Sequence, residues 1–102
     1  MNMTIKNEYI IYEVSYMNKI IYIGMGEPGR ELHVLSGKSN NPKLNELFFK
    51  DRENIKVLVI REGLTKDEAL ESERDFIMAA EPEFNIQHNQ KNHKVKKFRK
   101  YT

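Results

Sequence analysis

Residues 9 to 25 hold two strand-like runs joined by a connection too short for anything but a hairpin. Ile10, Tyr12, Val14 and Tyr16 alternate with Ile11, Glu13 and Ser15, and residues 20 to 23 are all β-branched or aromatic before Gly24. The turn is expected around Met17, Asn18 and Lys19. Strand side chains alternate between faces with a period of two, so the length of this turn decides where Tyr12 and Tyr22 point. An odd-numbered connection sets the two phenols opposite each other on one face, where they converge, whereas a two-residue loop puts them on opposite faces. The ordinary role for such residues is that of half-buried sheet aromatics with a polar tip.

Beyond the hairpin the chain reads as alternating short elements. Glu27-Pro28-Gly29 is a turn, and Arg30 to Leu35, stopped at Ser36-Gly37, suits a brief helix. Pro42 fits the first turn of a second helix, in which Leu44, Leu47 and Phe48 share a face until about Asp51. Ile55 to Ile60 is a third strand whose near-continuous apolar run predicts a central or well-covered position, with Arg61-Glu62-Gly63 closing it. Thr65-Lys66-Asp67-Glu68 offers a capping box for a helix running to about Ala80 and ended by Glu81-Pro82. The order strand, strand, helix, helix, strand, helix predicts an α/β sandwich. A chain of 102 residues has room for one small core, burying about two-thirds of its unfolded surface.

No apolar run is long enough to span a membrane, and the start lacks the pattern of a signal peptide. A soluble, cytoplasmic protein is therefore expected. The absence of cysteine leaves carboxylate, imidazole and water as the donors for any metal, which favours a hard cation. The net charge of +2 conceals a division: Lys91, Lys94, Lys96, Lys97, Arg99 and Lys100 lie in the last twelve residues with no acid, leaving 11 bases against 15 acids in residues 1–90. Domain boundaries of 1–90 for the folded unit and 91–102 for a basic tail follow. With His93, Phe98 and Tyr101 interleaved, the tail has the composition of a nucleic-acid arm, although basic tails also occur as solubilising ends.

The last helix carries the residue hardest to explain as structure. Its apolar stripe runs through Ala69, Leu70, Phe76, Ile77 and Ala80, and Glu73 falls in the middle, whereas Glu68, Glu71 and Asp75 lie on the flanks. An ionised glutamate in an apolar stripe needs a partner: an ion pair with Arg30 or Arg74, a hydrogen-bond cluster, or a metal. Arg30 and His33 form a second constellation, spaced so that their side chains reach one side of a short helix. Arginine grips phosphate bidentately, and histidine exchanges protons near neutral pH. Gly24, Gly26 and Gly29 before them allow the backbone to pass close to a ligand.

Taken together, Ile10-Ile11-Tyr12, Tyr22-Ile23-Gly24, Arg30 with His33, Glu73 in the last long helix, and Asn85 in Phe84-Asn85-Ile86 resemble the GIY-YIG nuclease superfamily. The resemblance covers the chain up to about residue 87, with one departure: Ile10 stands where the first motif has glycine. It implies a small stand-alone member of phage type, in host cytoplasm, with a three-stranded antiparallel sheet flanked by helices. It also implies a metal-dependent DNA endonuclease in which Glu73 holds one Mg²⁺ or Mn²⁺. Arg30 would neutralise charge developing on the phosphate, and Tyr12 would activate water alone or through His33. A phenol is a poor base, so Tyr12 needs the metal and Arg30 nearby to lower its pKa. Tyr22 would position water or phosphate, and Asn85 would supply a supporting polar contact. Lys38, on the loop after the first helix, is a candidate phosphate contact, though solvated lysines are the commoner case. Two other readings stay open: a catalytically silent nucleic-acid- or protein-binding module on the same fold, and a small structural or regulatory protein.

Overall fold

The computed structural model describes residues 8–85. Lys91, Lys94, Lys96, Lys97, Arg99 and Lys100, and with them the expected nucleic-acid arm, lie outside the described residues. The elements run β1 (Tyr9–Tyr16), β2 (Lys19–Gly26), a 3₁₀ helix (Arg30–Ser36), α1 (Pro42–Asp51), a 3₁₀ turn (Arg52–Asn54), β3 (Ile55–Leu64) and α2 (Lys66–Ala80). The three strands form one antiparallel sheet in the order β2-β1-β3. This is a small α+β domain.

Burial on both sides of the sheet explains which strand is central. Ile10, Tyr12 and Val14 pack with Ile21, Val34, Leu44 and Ile55 on the side covered by the 3₁₀ helix and α1. Ile11 packs with Ile23, Leu64, Ala69 and Ile77 on the side covered by α2. β1 thus buries apolar groups on both faces, which makes it the middle strand. The apolar run of β3 predicted a covered position, but β3 is an edge strand, with Leu58 58% and Val59 37% exposed. It also continues through Arg61-Glu62-Gly63 to Leu64, with register shifts against β1 on either side of Ile11. Runs of β-branched residues report strand propensity more directly than coverage, and only the neighbours decide the latter.

The helices begin where the sequence chemistry places them. Asn41 caps α1, its Oδ1 accepting from the backbone N–H groups of Lys43 and Leu44, with Pro42 in the first turn. At the start of α2, Thr65 and Glu68 complete the capping box in both directions. The α2 stripe is narrower than predicted: Ala69 and Ile77 are buried, but Leu70 is 46% exposed and Ala80 lies at the surface. No helix among the described residues is long and apolar enough to cross a membrane.

The hairpin holds the finding that governs the site. Its turn has two residues, Met17 and Asn18, both with positive φ of 52° and 69°, the type I′ sense that matches strand twist. Lys19 already pairs with Tyr16 rather than belonging to the turn. A two-residue turn alone would send Tyr12 and Tyr22 to opposite faces. The ladder, however, passes from Ser15 opposite Ile20 to Val14 opposite Tyr22, so Ile21 is an extra residue in β2. This β-bulge reverses the parity of everything beyond it. Tyr12 then faces Gly24, and Tyr22 sits beside that pair on the same side of the sheet.

Candidate active site

Tyr12 lies over a strand position that has no side chain. A Cβ at Gly24 would lie 2.5 Å from both Cζ and Oη of Tyr12 and 2.8 Å from Cε2 of Tyr22. The two rings meet above this glycine with centroids 6.2 Å apart, tilted by 43°. Gly26 does the same for the next wall: a Cβ there would lie 2.8 Å from Cγ of Arg30. These two glycines therefore admit side chains of the protein itself, where the sequence had predicted close approach of a ligand to the backbone. Gly29 differs again. Its φ of 101° turns the chain into the 3₁₀ helix, and its N–H donates to Oε1 of Glu31.

A 3₁₀ helix suits Arg30 and His33 better than the predicted helix of unspecified type. With three residues per turn, positions i and i+3 eclipse, so the imidazole stands in line with the guanidinium. Val34 anchors the segment in the core, and Gly37, at φ 74°, ends it.

These elements close around one polar cavity of about 50 Å³, lined by Tyr12, Tyr22, Arg30, His33 and Glu73. β2 is an outer strand, so groups from both sides of the sheet meet at its edge. The tyrosines, Arg30 and His33 come from one side, while Met25 and Glu73 come from the α2 side. Five of the six residues predicted to be catalytic are thus brought together.

Asn85, the sixth, is spent elsewhere. It is 4% exposed, and its amide pairs with the backbone of Ile23, Oδ1 accepting from N–H at 2.9 Å and Nδ2 donating to the carbonyl at 2.8 Å. The N–H of Phe84 donates to the carbonyl of Ile21. Residues 84 and 85 therefore cover the outer edge of β2 at the bulge and hold the strand that carries Tyr22. Asn41 extends the clamp, its Nδ2 donating to the carbonyl of Phe84 at 2.7 Å.

Ser39 and Asn40 also line the cavity and escaped the sequence reading, which chose Lys38 on the same loop. Lys38 is exposed and is not among the lining residues. Asn45 holds the loop by the device Asn85 uses on β2, with Oδ1 accepting from Ser39 N–H and Nδ2 donating to the Ser39 carbonyl, both at 2.8 Å. The available signal was the run Ser39-Asn40-Asn41-Pro42, a helix-cap sequence that fixes the loop before it.

The electrostatics of the cavity are unbalanced. Burial pushes the Glu73 carboxyl up from 4.5 to about 6. Among the described residues no hydrogen bond or ion pair joins Glu73 to Arg30 or Arg74. Burial is also the chief cause that holds Tyr12 above the ordinary phenol range; Tyr22 and Glu73 add to it, and Arg30 opposes it. Tyr22 is raised too, first by burial and then by Glu73, with Arg30 and the hydrogen bonding of Tyr12 opposing. Arg30 thus acts in the predicted direction on both phenols, and burial outweighs it.

A half-buried carboxylate whose burial disfavours its charge is complementary to a cation, in a cavity that Arg30 and His33 also line. Among the described residues no group of three or more His, Asp or Glu could form a protein-only cage. A divalent ion at Glu73 would need water and substrate oxygens to complete its shell, an arrangement that Mg²⁺ commonly adopts. Comparison with protein-family models, curated proteins and solved structures found no match to this chain.

Proposed function

We propose that this protein is a metal-dependent DNA endonuclease of GIY-YIG type that hydrolyses phosphodiester bonds. The observation that carries the reading is the bulge at Ile21, which brings Tyr12 and Tyr22 onto one face and into one cavity with Arg30, His33 and Glu73. The order and spacing of those five residues support it further.

Each residue has a physical role in that reaction. Arg30 places positive charge at the mouth of the cavity, where it neutralises an incoming phosphate and stabilises the added charge of the pentacoordinate transition state. Tyr22 orients a phosphate oxygen or water through its hydroxyl. Tyr12 and His33 take the proton of the attacking water, with Tyr12 depending on added positive charge because burial holds its proton. Mg²⁺ or Mn²⁺, held by Glu73, would supply Lewis-acid polarisation of the phosphate and stabilisation of the leaving 3′ oxygen. Asn85 acts at one remove, fixing β2 at Ile23. The basic tail adds affinity that is independent of sequence.

One observation favours the rival, a binding module without cleavage: both phenols are held protonated by their surroundings. Incubation of the purified protein with supercoiled plasmid separates the two. The nuclease reading expects nicked or linear product with Mg²⁺, and none with EDTA or in Glu73→Gln. Salt-sensitive DNA binding with no product under any divalent metal supports the rival, and cleavage that survives Glu73→Gln removes the proposed site.

A further inference from the structure

Phe49 is 75% exposed, the most exposed of the large apolar side chains among the described residues. Burying a phenylalanine contributes about 1.5–3 kcal/mol, so a ring left open at the end of α1 calls for an account. It is not a loose side chain. Its ring meets Phe48 edge-on with centroids 5.2 Å apart, and Phe48 carries the Arg52 guanidinium 5.8 Å from its own centroid. Its tip rests on Gly37, where a Cβ would lie 2.7 Å from Cζ. The ring is thus seated on one side and open on the other, above a groove of about 520 Å³ that also includes Lys50 and Arg52.

Its position relative to the candidate site gives the ring a partner. Gly37, on which it rests, is two residues before Ser39, and Ser39 and Asn40 line the catalytic cavity. Asn45, four residues before Phe49 on α1, holds that loop at Ser39, so one helix carries both the ring and the clamp on the loop that lines the cavity. The neighbours of Phe49 in the groove are largely charged, with Asp51 and Glu53 beside the two cations. A protein-binding patch needs contiguous apolar area of several hundred Å². A single supported ring between Lys50 and Arg52, with Asp51 turned to Tyr16 and Asn54, instead matches the platform on which a nucleobase stacks, although Glu53 shares the groove.

We infer that Phe49 is a stacking platform for an unpaired base of the strand whose phosphate occupies the cavity, which makes single-stranded or locally unpaired DNA the preferred substrate. This rests on the nucleic-acid reading of the site but not on cleavage, so its test is run in EDTA. The chain contains no tryptophan, and Phe49→Trp therefore supplies a sole tryptophan, excited selectively at wavelengths where the five tyrosines do not absorb. Short single-stranded oligodeoxythymidine is expected to quench it saturably, and more strongly than a duplex of equal length. Leu58→Trp, exposed on β3 at the sheet edge opposite β2, should respond to neither. Phe49→Leu should weaken single-strand binding at least ~5-fold and Phe49→Tyr should restore it, since stacking contributes about 1–3 kcal/mol per base. Absence of quenching, equal quenching by duplex, or equal affinity in Phe49→Leu overturns the inference. Plasmid cleavage under Mg²⁺, measured separately on Phe49→Leu, shows whether the nuclease reading stands or falls with it.

Discussion

Tyr12 and Tyr16 stand four residues apart on the same side of β1, and each has a carboxylate in its vicinity, yet the two regions are built in opposite senses. Tyr16 donates to Oδ2 of Asp51 at 2.6 Å, and Nδ2 of Asn54 donates to both oxygens of that carboxylate. The hydrogen bonds from Tyr16 and then Asn54 hold Asp51 below its ordinary value. This region ties the hairpin to the 3₁₀ turn after α1, and its polar groups are satisfied within the protein. Around Tyr12 the carboxylate of Glu73 has no such partner among the described residues, and burial raises it to about 6. Both tyrosines find partners, Tyr16 in Asp51 and Tyr12 in Tyr22, so among the described residues the difference lies in the carboxylates: Asp51 is held by hydrogen bonds within the protein, whereas Glu73 is set apart by its burial.

Several measurements break or sharpen this contrast. The largest effect is expected for Glu73→Gln, which should lower divalent-dependent cleavage by ~10³-fold or more, the scale of losing a principal electrostatic group. Next comes Gly24→Ala. The added methyl meets both tyrosine rings, so stability should fall by about 1–3 kcal/mol, as for overpacking, with cleavage lost at temperatures where the protein stays folded. Denaturant melts and plasmid nicking on the same preparation check both parts. Asn85→Leu leaves the N–H and carbonyl of Ile23 without their partners. It should cost about 2–3 kcal/mol, and hydrogen exchange should report faster opening along β2.

The pH dependence separates the two regions by sign. For Glu73 the folded value of about 6 exceeds the ordinary 4.5, so its contribution to stability is fully present below 4.5 and is lost as pH rises through 6. At pH 7 the penalty is at most about 2 kcal/mol, reduced by partial solvent access to about 1 kcal/mol. Glu73→Gln should therefore be more stable than the natural chain at pH 7 and indistinguishable from it at pH 4. Asp51 lies below its ordinary value of 3.8, so its contribution is present above 3.8 and disappears as pH falls. Asp51→Asn should accordingly melt lower at pH 7 and converge with the natural chain in acid. Tyr16→Phe should have the smallest effect, a slight drop in Tm with cleavage unchanged, because among the described residues its hydroxyl bonds Asp51 alone.

Much of this arrangement was legible in residue types and spacing. The Thr65–Glu68 capping box, Pro42 in the first turn of α1, the two hairpin strands and the placement of Glu73 inside an apolar stripe follow from local chemistry, and Tyr12, Tyr22, Arg30 and His33 stand out by their order along the chain, whereas Ser39 and Asn40 do not. The bulge was not legible. The run Ile20-Ile21-Tyr22-Ile23 carries no glycine or polar residue to mark where a residue leaves the ladder, and only packing on both sides of β2 selects Ile21. The edge position of β3 was hidden for a related reason, since Val57, Leu58 and Val59 read alike whether or not anything covers them. The role of Asn85 depends on a contact 62 residues away in sequence, beyond any local pattern.

The comparison between the two carboxylates reduces to one assay. Plasmid cleavage with Mg²⁺ and thermal melting, performed side by side on Glu73→Gln and Asp51→Asn, should give opposite outcomes. Glu73→Gln is expected to lose cleavage while melting at or above the natural chain at pH 7, and Asp51→Asn to keep cleavage while melting lower. Retained cleavage in Glu73→Gln, or its loss only in proportion to a lowered Tm, would contradict the claim that the cavity at the edge of β2 is a catalytic site.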